Sequence, residues 1–214
     1  MKRINLSLLL IFLFIVLVML IKTNGINELD TSIGKGMYTL HDQSFILVLE
    51  WIGMLGSTVG IIAILFLSML LFIIIQKNFF AAAILFLSVL IGNVGNKLLK
   101  AIVGRERPSF PEHIEDSFSF PSGHVMVGLL LFGMIAYYVV RTSQTKKMKQ
   151  IVITSTSVLL IFIGFSRLVE GEHFFTDVIG GSVAGGLVLI GMIKVEQLVR
   201  TKIEQRKVKN DVSL

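Results

Sequence analysis

Apolar residues along this chain fall into long runs, and each run is closed by a small group of charges or glycines. A bilayer core of ~30 Å needs about 20 residues at helical rise, so such runs predict membrane-crossing helices. The first covers residues 4–21 and follows Lys2 and Arg3. It is longer than the usual signal-peptide core and no small-residue cleavage pattern follows it, so it reads as an uncleaved span. Residues 22–44 carry Gly25, Gly34, Gly36 and scattered charges, and read as a polar loop. From 45 to 75 the chain is apolar apart from Glu50 and a few small polar residues. That is too long for one perpendicular span, and Glu50 at mid-bilayer would be costly. Gly53 and Gly56 divide it into a short interfacial helix bearing Glu50 and Trp51 and a span over 57–75.

After a turn at 76–78, further spans are predicted over 79–102, 122–140, 151–165 and 173–195. In the last of these, Gly181 and Gly185 form a G-x-x-x-G pair, which predicts close packing on a neighbouring helix. The fold class is therefore an all-α integral membrane bundle of six transmembrane helices, with a short interfacial helix before the second span. The whole of 1–214 forms one membrane-embedded domain, and 196–214 is a basic cytoplasmic tail.

Charge then orients the bundle. The net charge of +6 would suggest nucleic acid in a soluble protein, but these cations sit between apolar runs and in the tail, so no nucleic-acid partner is expected. Six spans put both termini on one side, together with Lys77 and the 141–150 connection. That side holds 13 of the 20 Lys and Arg and reads as cytoplasmic. The chain has no cysteine, which excludes a disulfide framework and thiolate metal sites.

Three polar clusters fall on the opposite, outer side. Asn93, Asn96, Lys97 and Lys100 share one face of an apolar helix, so that face meets protein or water, not lipid tails. Lys97 can snorkel to the headgroups; Lys100 has Arg107 and Pro108 shortly after it in a loop marked by Gly104 and Pro111 and holding six charged residues. Pro121, Ser122, Gly123 and His124 open the next span, where free N–H groups and the helix dipole suit an anion; Ser122 also fits a plain N-cap. Ser166, Arg167, His173 and Asp177 close the set. His173 and Asp177, four apart on a helix opening, place a carboxylate beside an imidazole and leave its other nitrogen free as nucleophile or base. A metal pair is the alternative, with Glu170 and Glu172 as further ligands, but converging cations oppose a divalent ion. Lys100, Arg107 and Arg167 together suit the spread negative charge of a phosphoryl group.

Lys100 to Pro108, Pro121 to His124 and Ser166 to Asp177 reproduce K-x6-R-P, P-S-G-H and S-R-x5-H-x3-D. In these motifs the chain resembles the type-2 phosphatidic acid phosphatase superfamily, and within it the small bacterial members similar to phosphatidylglycerophosphatase B and the undecaprenyl pyrophosphate phosphatases. The resemblance implies a plasma-membrane phosphatase with no cofactor and no metal, acting on a lipid phosphate at the outer face. It implies His173 as the nucleophile forming a phosphohistidine, Asp177 as its orienting carboxylate and His124 as acid and base. Lys100, Arg107, Ser122, Gly123 and Arg167 would bind phosphate. A prenyl pyrophosphate such as undecaprenyl pyrophosphate is the substrate to expect first, with phosphatidylglycerol phosphate close behind and phosphatidic acid a further candidate, and a non-catalytic lipid or anion transporter is the rival from another class.

Overall fold

The computed structural model describes residues 6–41, 44–109 and 117–212, with side chains as far as 206; Lys2, Arg3, Pro111 and half the charges of the 103–120 loop lie outside the described residues. Eight helices account for nearly all of it: α1 Leu6–Lys22, α2 Asn27–Tyr38, α3 Ile46–Met54, α4 Thr58–Ile74, α5 Phe79–Val103, α6 Gly123–Thr142, α7 Lys146–Val169 and α8 Phe175–Val212. No strand occurs among the described residues.

Four helices (α5, α6, α7 and α8) are each long and apolar enough to cross a membrane. The number rises to six if each of two bent pairs counts as one span: α1 with α2, bent by 93°, and α3 with α4, bent by 54°. Large apolar side chains face outward along the bundle, among them Phe12, Phe66 and Ile161. A water-soluble protein would bury them, whereas lipid tails solvate them.

The loop expected over 22–44 is corrected by α2. Glu28 and Asp30 in its first turn and Lys35 in its last complement the helix dipole. Its buried face consists of Asp30 and Gly34, one turn apart, so it lacks the apolar stripe by which a helix is recognised. Two other boundaries also move. Helix α7 starts at Lys146, capped by Thr145, so the basic connection predicted from 141 shrinks to a few residues. Helix α8 starts at Phe175 and runs unbroken through the expected tail, leaving His173 in the turn before the helix.

In lipid, helices gain little from burying apolar surface against one another, so small residues that let backbones approach decide the packing. A Cβ on Gly181 would lie 2.7 Å from the Ser122 carbonyl oxygen, and one on Gly185 would lie 2.9 Å from that of Met126. The G-x-x-x-G pair therefore seats α8 against the first turns of α6. The apolar core between α4, α5, α6 and α8 includes Leu65, Leu85, Leu131 and Met134, and a smaller cluster joins Ile21, Val103 and Phe120.

Gly185→Leu is expected to lower the melting temperature of the detergent-solubilised protein, since overpacking of this kind costs roughly 1–3 kcal/mol. Gly191→Leu on the same helix, where a Cβ meets nothing within 4 Å, is expected to leave it unchanged.

Candidate active site

The site assembles at the end of the bundle where α5 and α7 finish and α6 and α8 begin. Gly104 ends α5 in the left-handed conformation (φ 63°), its N–H returning to the Lys100 carbonyl at 2.8 Å. This cap turns the chain straight after Lys100 and carries Arg105 and Arg107 back over the helix end. Three further bonds fix the start of α6. Asn96 Nδ2 donates to the Pro121 carbonyl at 3.0 Å, Ser119 N–H to the Arg105 carbonyl at 2.8 Å, and Ser122 N–H to the Asp177 carbonyl at 3.0 Å. Asn96 thus uses the polar stripe of α5 as a brace. At the end of α7, the N–H groups of Glu172 and His173 both return to the Arg167 carbonyl, at 3.1 and 3.3 Å.

One cavity of about 400 Å³ is lined by Lys97, Lys100, Arg107, Ser117, Gly123, His124 and His173. Its other wall is apolar, built from Ile61, Ile62 and Leu65 of α4 and Phe86, Val89 and Leu90 of α5. Residues from all three motifs meet there, although the sequence separates Lys100 from His173 by two helices, α6 and α7. Arg167, Ser122 and Asp177 are not on the cavity wall; they are buried behind it. The charges of Arg167, Arg107 and Lys100 nevertheless all reach His124.

His173 Nδ1 lies 3.6 Å from Asp177 Oδ2. That is close enough for strong Coulomb coupling and slightly beyond a hydrogen bond. Asp177 Oδ2 also accepts the Phe174 N–H at 2.8 Å, the acidic half of a capping box. The same carboxylate therefore starts α8 and faces the imidazole. Burial pushes the His173 pKa below its ordinary value; Asp177 opposes that shift, and Arg107 and Lys100 reinforce it. The shift favours the neutral imidazole.

Arginine forks are held open by backbone and carboxylate partners. Arg107 Nε donates to the Ser117 carbonyl, Nη1 to the Glu172 carbonyl and Nη2 to Ser117 Oγ, each at 2.9 Å. Lys100 Nζ reaches Ser117 Oγ at 3.4 Å. Arg167 pairs with Glu170 and, at 3.2 Å, with Glu172. Burial first, then the charges of Glu172 and Glu50, push the Glu170 pKa up to about 7 against the pull of Arg167. Glu170 and Glu172 therefore serve as arginine partners in this geometry. No cluster of three or more His, Asp or Glu able to hold a metal occurs among the described residues.

Two details of the anion site differ from expectation. Ser122 occupies the N-cap position of α6, but its side chain makes no capping bond. Its backbone N–H is taken by Asp177, so the free donors at this helix start are those of Gly123, His124 and Val125, which precede the first intrahelical bond from Met126. The Ser122 Oγ is buried and has no hydrogen-bond partner.

The sequence reading passed over Arg105 and Asp30. Arg105 is 8 % exposed; its Nη1 donates to Asp177 Oδ1 at 2.8 Å and to Thr176 Oγ1 at 2.7 Å, and its Nη2 to Asp30 Oδ2 at 2.7 Å. The only signal in the sequence is a cation placed directly after a helix-ending glycine, and nothing local marks Asp30 as its partner.

Comparison with known proteins then decides the family. The PAP2 superfamily model matches residues 81–200. Phosphatidylglycerophosphatase B of Bacillus subtilis (strain 168) is 33 % identical over 195 residues, spanning 86 % of this chain and 91 % of the relative. The chain belongs to the PAP2 superfamily. A crystal structure of a transmembrane PAP2-type phosphatidylglycerolphosphate phosphatase from Bacillus subtilis superimposes with a TM-score of 0.81 at 28 % identity, covering 90 % of this chain and 96 % of that one. Aquifex aeolicus LpxE shares the fold, with a TM-score of 0.56 at 21 % identity over 76 % of this chain and 93 % of that chain. The membership makes the chain a membrane phosphatase.

An unsatisfied buried hydroxyl adds nothing to stability, whereas a bond to a charged oxygen is worth about 1.5–3 kcal/mol. Ser122→Ala is therefore expected to keep or raise the melting temperature while lowering kcat/KM roughly 10-fold or more. Parallel thermal and turnover measurements check both halves.

Proposed function

We propose that this chain is a lipid phosphatase that removes a terminal phosphate at the outer membrane face by way of a phosphohistidine. The carrying observation is the shared cavity: two histidines and three cations on one side, and an apolar wall of α4 and α5 on the other. A lipid phosphate fits this division, with its head among the cations and its chains along the apolar wall. A soluble phosphate ester leaves the apolar half without a purpose.

In this reading Nε2 of His173 attacks phosphorus while Asp177 holds Nδ1. The bond to the leaving oxygen breaks, and His124 supplies the proton that oxygen needs. His124 then takes a proton from the water that attacks the phosphohistidine, which returns His173 and releases phosphate. Acid–base help of this kind is typically worth ~10²–10⁴-fold. Lys100, Arg107 and the Gly123 N–H, on the cavity wall, stabilise charge on the phosphoryl oxygens, joined from behind the wall by the charge of Arg167 and by the unpaired Ser122 Oγ, the work that metal ions do in other phosphoryl-transfer sites. The reaction is accordingly metal-independent. Six spans with both termini cytoplasmic, and α3 as the interfacial helix, put this end of the bundle outside.

Phosphatidylglycerol phosphate is the substrate we favour, on the relative named phosphatidylglycerophosphatase B and on the near-complete coverage of both chains. This revises the sequence-based lean towards a prenyl pyrophosphate, which the same cavity would also admit.

His173→Ala is expected to abolish phosphate release from phosphatidylglycerol phosphate in detergent, and wild-type turnover is expected to survive a chelator. Turnover in the mutant would refute the nucleophile, and loss with chelator would refute metal independence. A panel of phosphatidylglycerol phosphate, undecaprenyl pyrophosphate and phosphatidic acid at matched detergent ranks the substrates, with the first expected to give the highest kcat/KM. Arg107→Lys keeps the charge but cannot satisfy three bonds in one plane; it is expected to lower turnover ~100-fold with the fold intact.

A further inference from the structure

Behind the cavity wall lies a buried charged chain. Asp30 on α2 is 1 % exposed, Asp177 is 0 %, and Arg105 sits between them. Arg105 bonds one carboxylate with each terminal nitrogen, at 2.7 Å to Asp30 and 2.8 Å to Asp177, and its guanidinium lies 4.2 Å over the ring of Phe174. Thr176 closes the ring: its hydroxyl bonds Asp30, its N–H donates to Asp30 Oδ1 at 3.1 Å, and its oxygen accepts from Arg105. Isolating one member of such a network would leave a bare charge at low dielectric, a large cost that fixes all four groups relative to one another. None of Asp30, Arg105 and Thr176 lines the cavity.

We infer that Asp30, Arg105 and Thr176 are positioning residues for the reaction: they lock the orientation of the Asp177 carboxylate and meter how much of its charge His173 receives. The inference rests on the proposed role of His173 as nucleophile. Each Asp177 oxygen has a separate duty. Oδ1 is taken by Arg105, and Oδ2 is left for Phe174 N–H and the imidazole. Without Arg105 the carboxylate would be free to turn, and its whole charge would act on the imidazole. Without Asp30, Arg105 would be balanced by Asp177 alone and would draw that charge away. Helix α2, bent across the end of α1, thereby becomes part of the catalytic apparatus although it contributes nothing to the cavity.

The pH profile separates this from a purely structural role. The acid limb of kcat/KM is expected to report protonation of His173, whose pKa burial pushes below its ordinary value. Removing the cation in Arg105→Gln favours the protonated imidazole and moves that limb to higher pH. Removing the anion in Asp30→Asn disfavours it and moves the limb to lower pH. The other charges around His173 stay constant across the series: Lys100 and Arg107 from α5 and its loop, His124 from α6, Arg167 and the Glu170 and Glu172 turn from α7, and Glu50 from α3. Glu170 itself titrates near neutrality, so the series is repeated in a Glu170→Gln background, where the opposite shifts must persist.

In Arg105→Gln, kcat is expected to fall on the order of 10–100-fold, with KM little changed because the cavity wall is intact. Thr176→Val, which removes the hydroxyl at nearly constant volume, is expected to lower kcat in the same way, and Thr176→Ser to restore it; this pair carries the test if the charge variants do not fold. Limbs that move in the same direction or not at all, or Thr176→Val at wild-type kcat, would overturn the inference. If His173→Ala keeps its turnover, the nucleophile assignment fails first. If His173→Ala is inactive and these variants match the wild type, the positioning inference alone fails.

Discussion

The close approach of α8 to the opening of α6 is the contact on which the site depends. Gly181 and Gly185 bring the α8 backbone against the carbonyls of Ser122 and Met126, and the Ser122 N–H closes on the Asp177 carbonyl at 3.0 Å. One backbone bond thus ties the P-S-G-H turn to the H-x3-D turn. Any side chain larger than hydrogen at these glycines would wedge the two helix starts apart, and with them His124 from His173. The motifs are distant in sequence and weak singly; this packing makes them one site.

A second constraint is electrostatic. Polar groups deep in a bilayer are costly, so the chain concentrates them at the ends of the bundle and balances them there. Arg105 meets Asp30 and Asp177, Arg167 meets Glu170 and Glu172, and Arg107 is wrapped by the carbonyls of Ser117 and Glu172. The opposite end shows the same habit, where the fully buried Glu196 is held by Tyr137, Arg141 and Arg200. Because carboxylates and carbonyls already satisfy the arginines, the cation cluster is stable without relying on a bound anion, and its forks are preorganised at no further entropic cost.

Much of this was legible in the sequence, and the failures share a cause. The apolar runs marked α1 and α4 to α8, because lipid-facing helices need continuous hydrophobicity. The break at Gly53 and Gly56 marked α3. The G-x-x-x-G pair marked α8 for close packing on a neighbour, and the motifs marked Lys100, Arg107, Gly123, His124 and His173 of the cavity wall. Helix α2 was missed because its buried face is Asp30 and Gly34, which in sequence look like a solvated turn. Arg105 was missed for the same reason: its partner lies 75 residues away in a segment with no apolar period. Buried ion pairs leave no periodic trace, since their signal is pairing in space and neither partner announces the other.

Arg105 and Arg107 sharpen that point, for they stand two residues apart and do opposite things. The chain direction set by Gly104 sends Arg107 to the cavity and Arg105 away from it, behind the wall, to the underside of Asp177. A single capped helix end therefore delivers one guanidinium to the cavity side and one to the carboxylate side of the same His173–Asp177 pair. Exchanging the roles of the two arginines would require a shift of the whole turn, which the bonds from Ser119 to the Arg105 and Glu106 carbonyls prevent. The spacing between Lys100 and Arg107 thus follows from a geometric need: one helical cap, one inward cation for the support network, and one outward cation for the cavity.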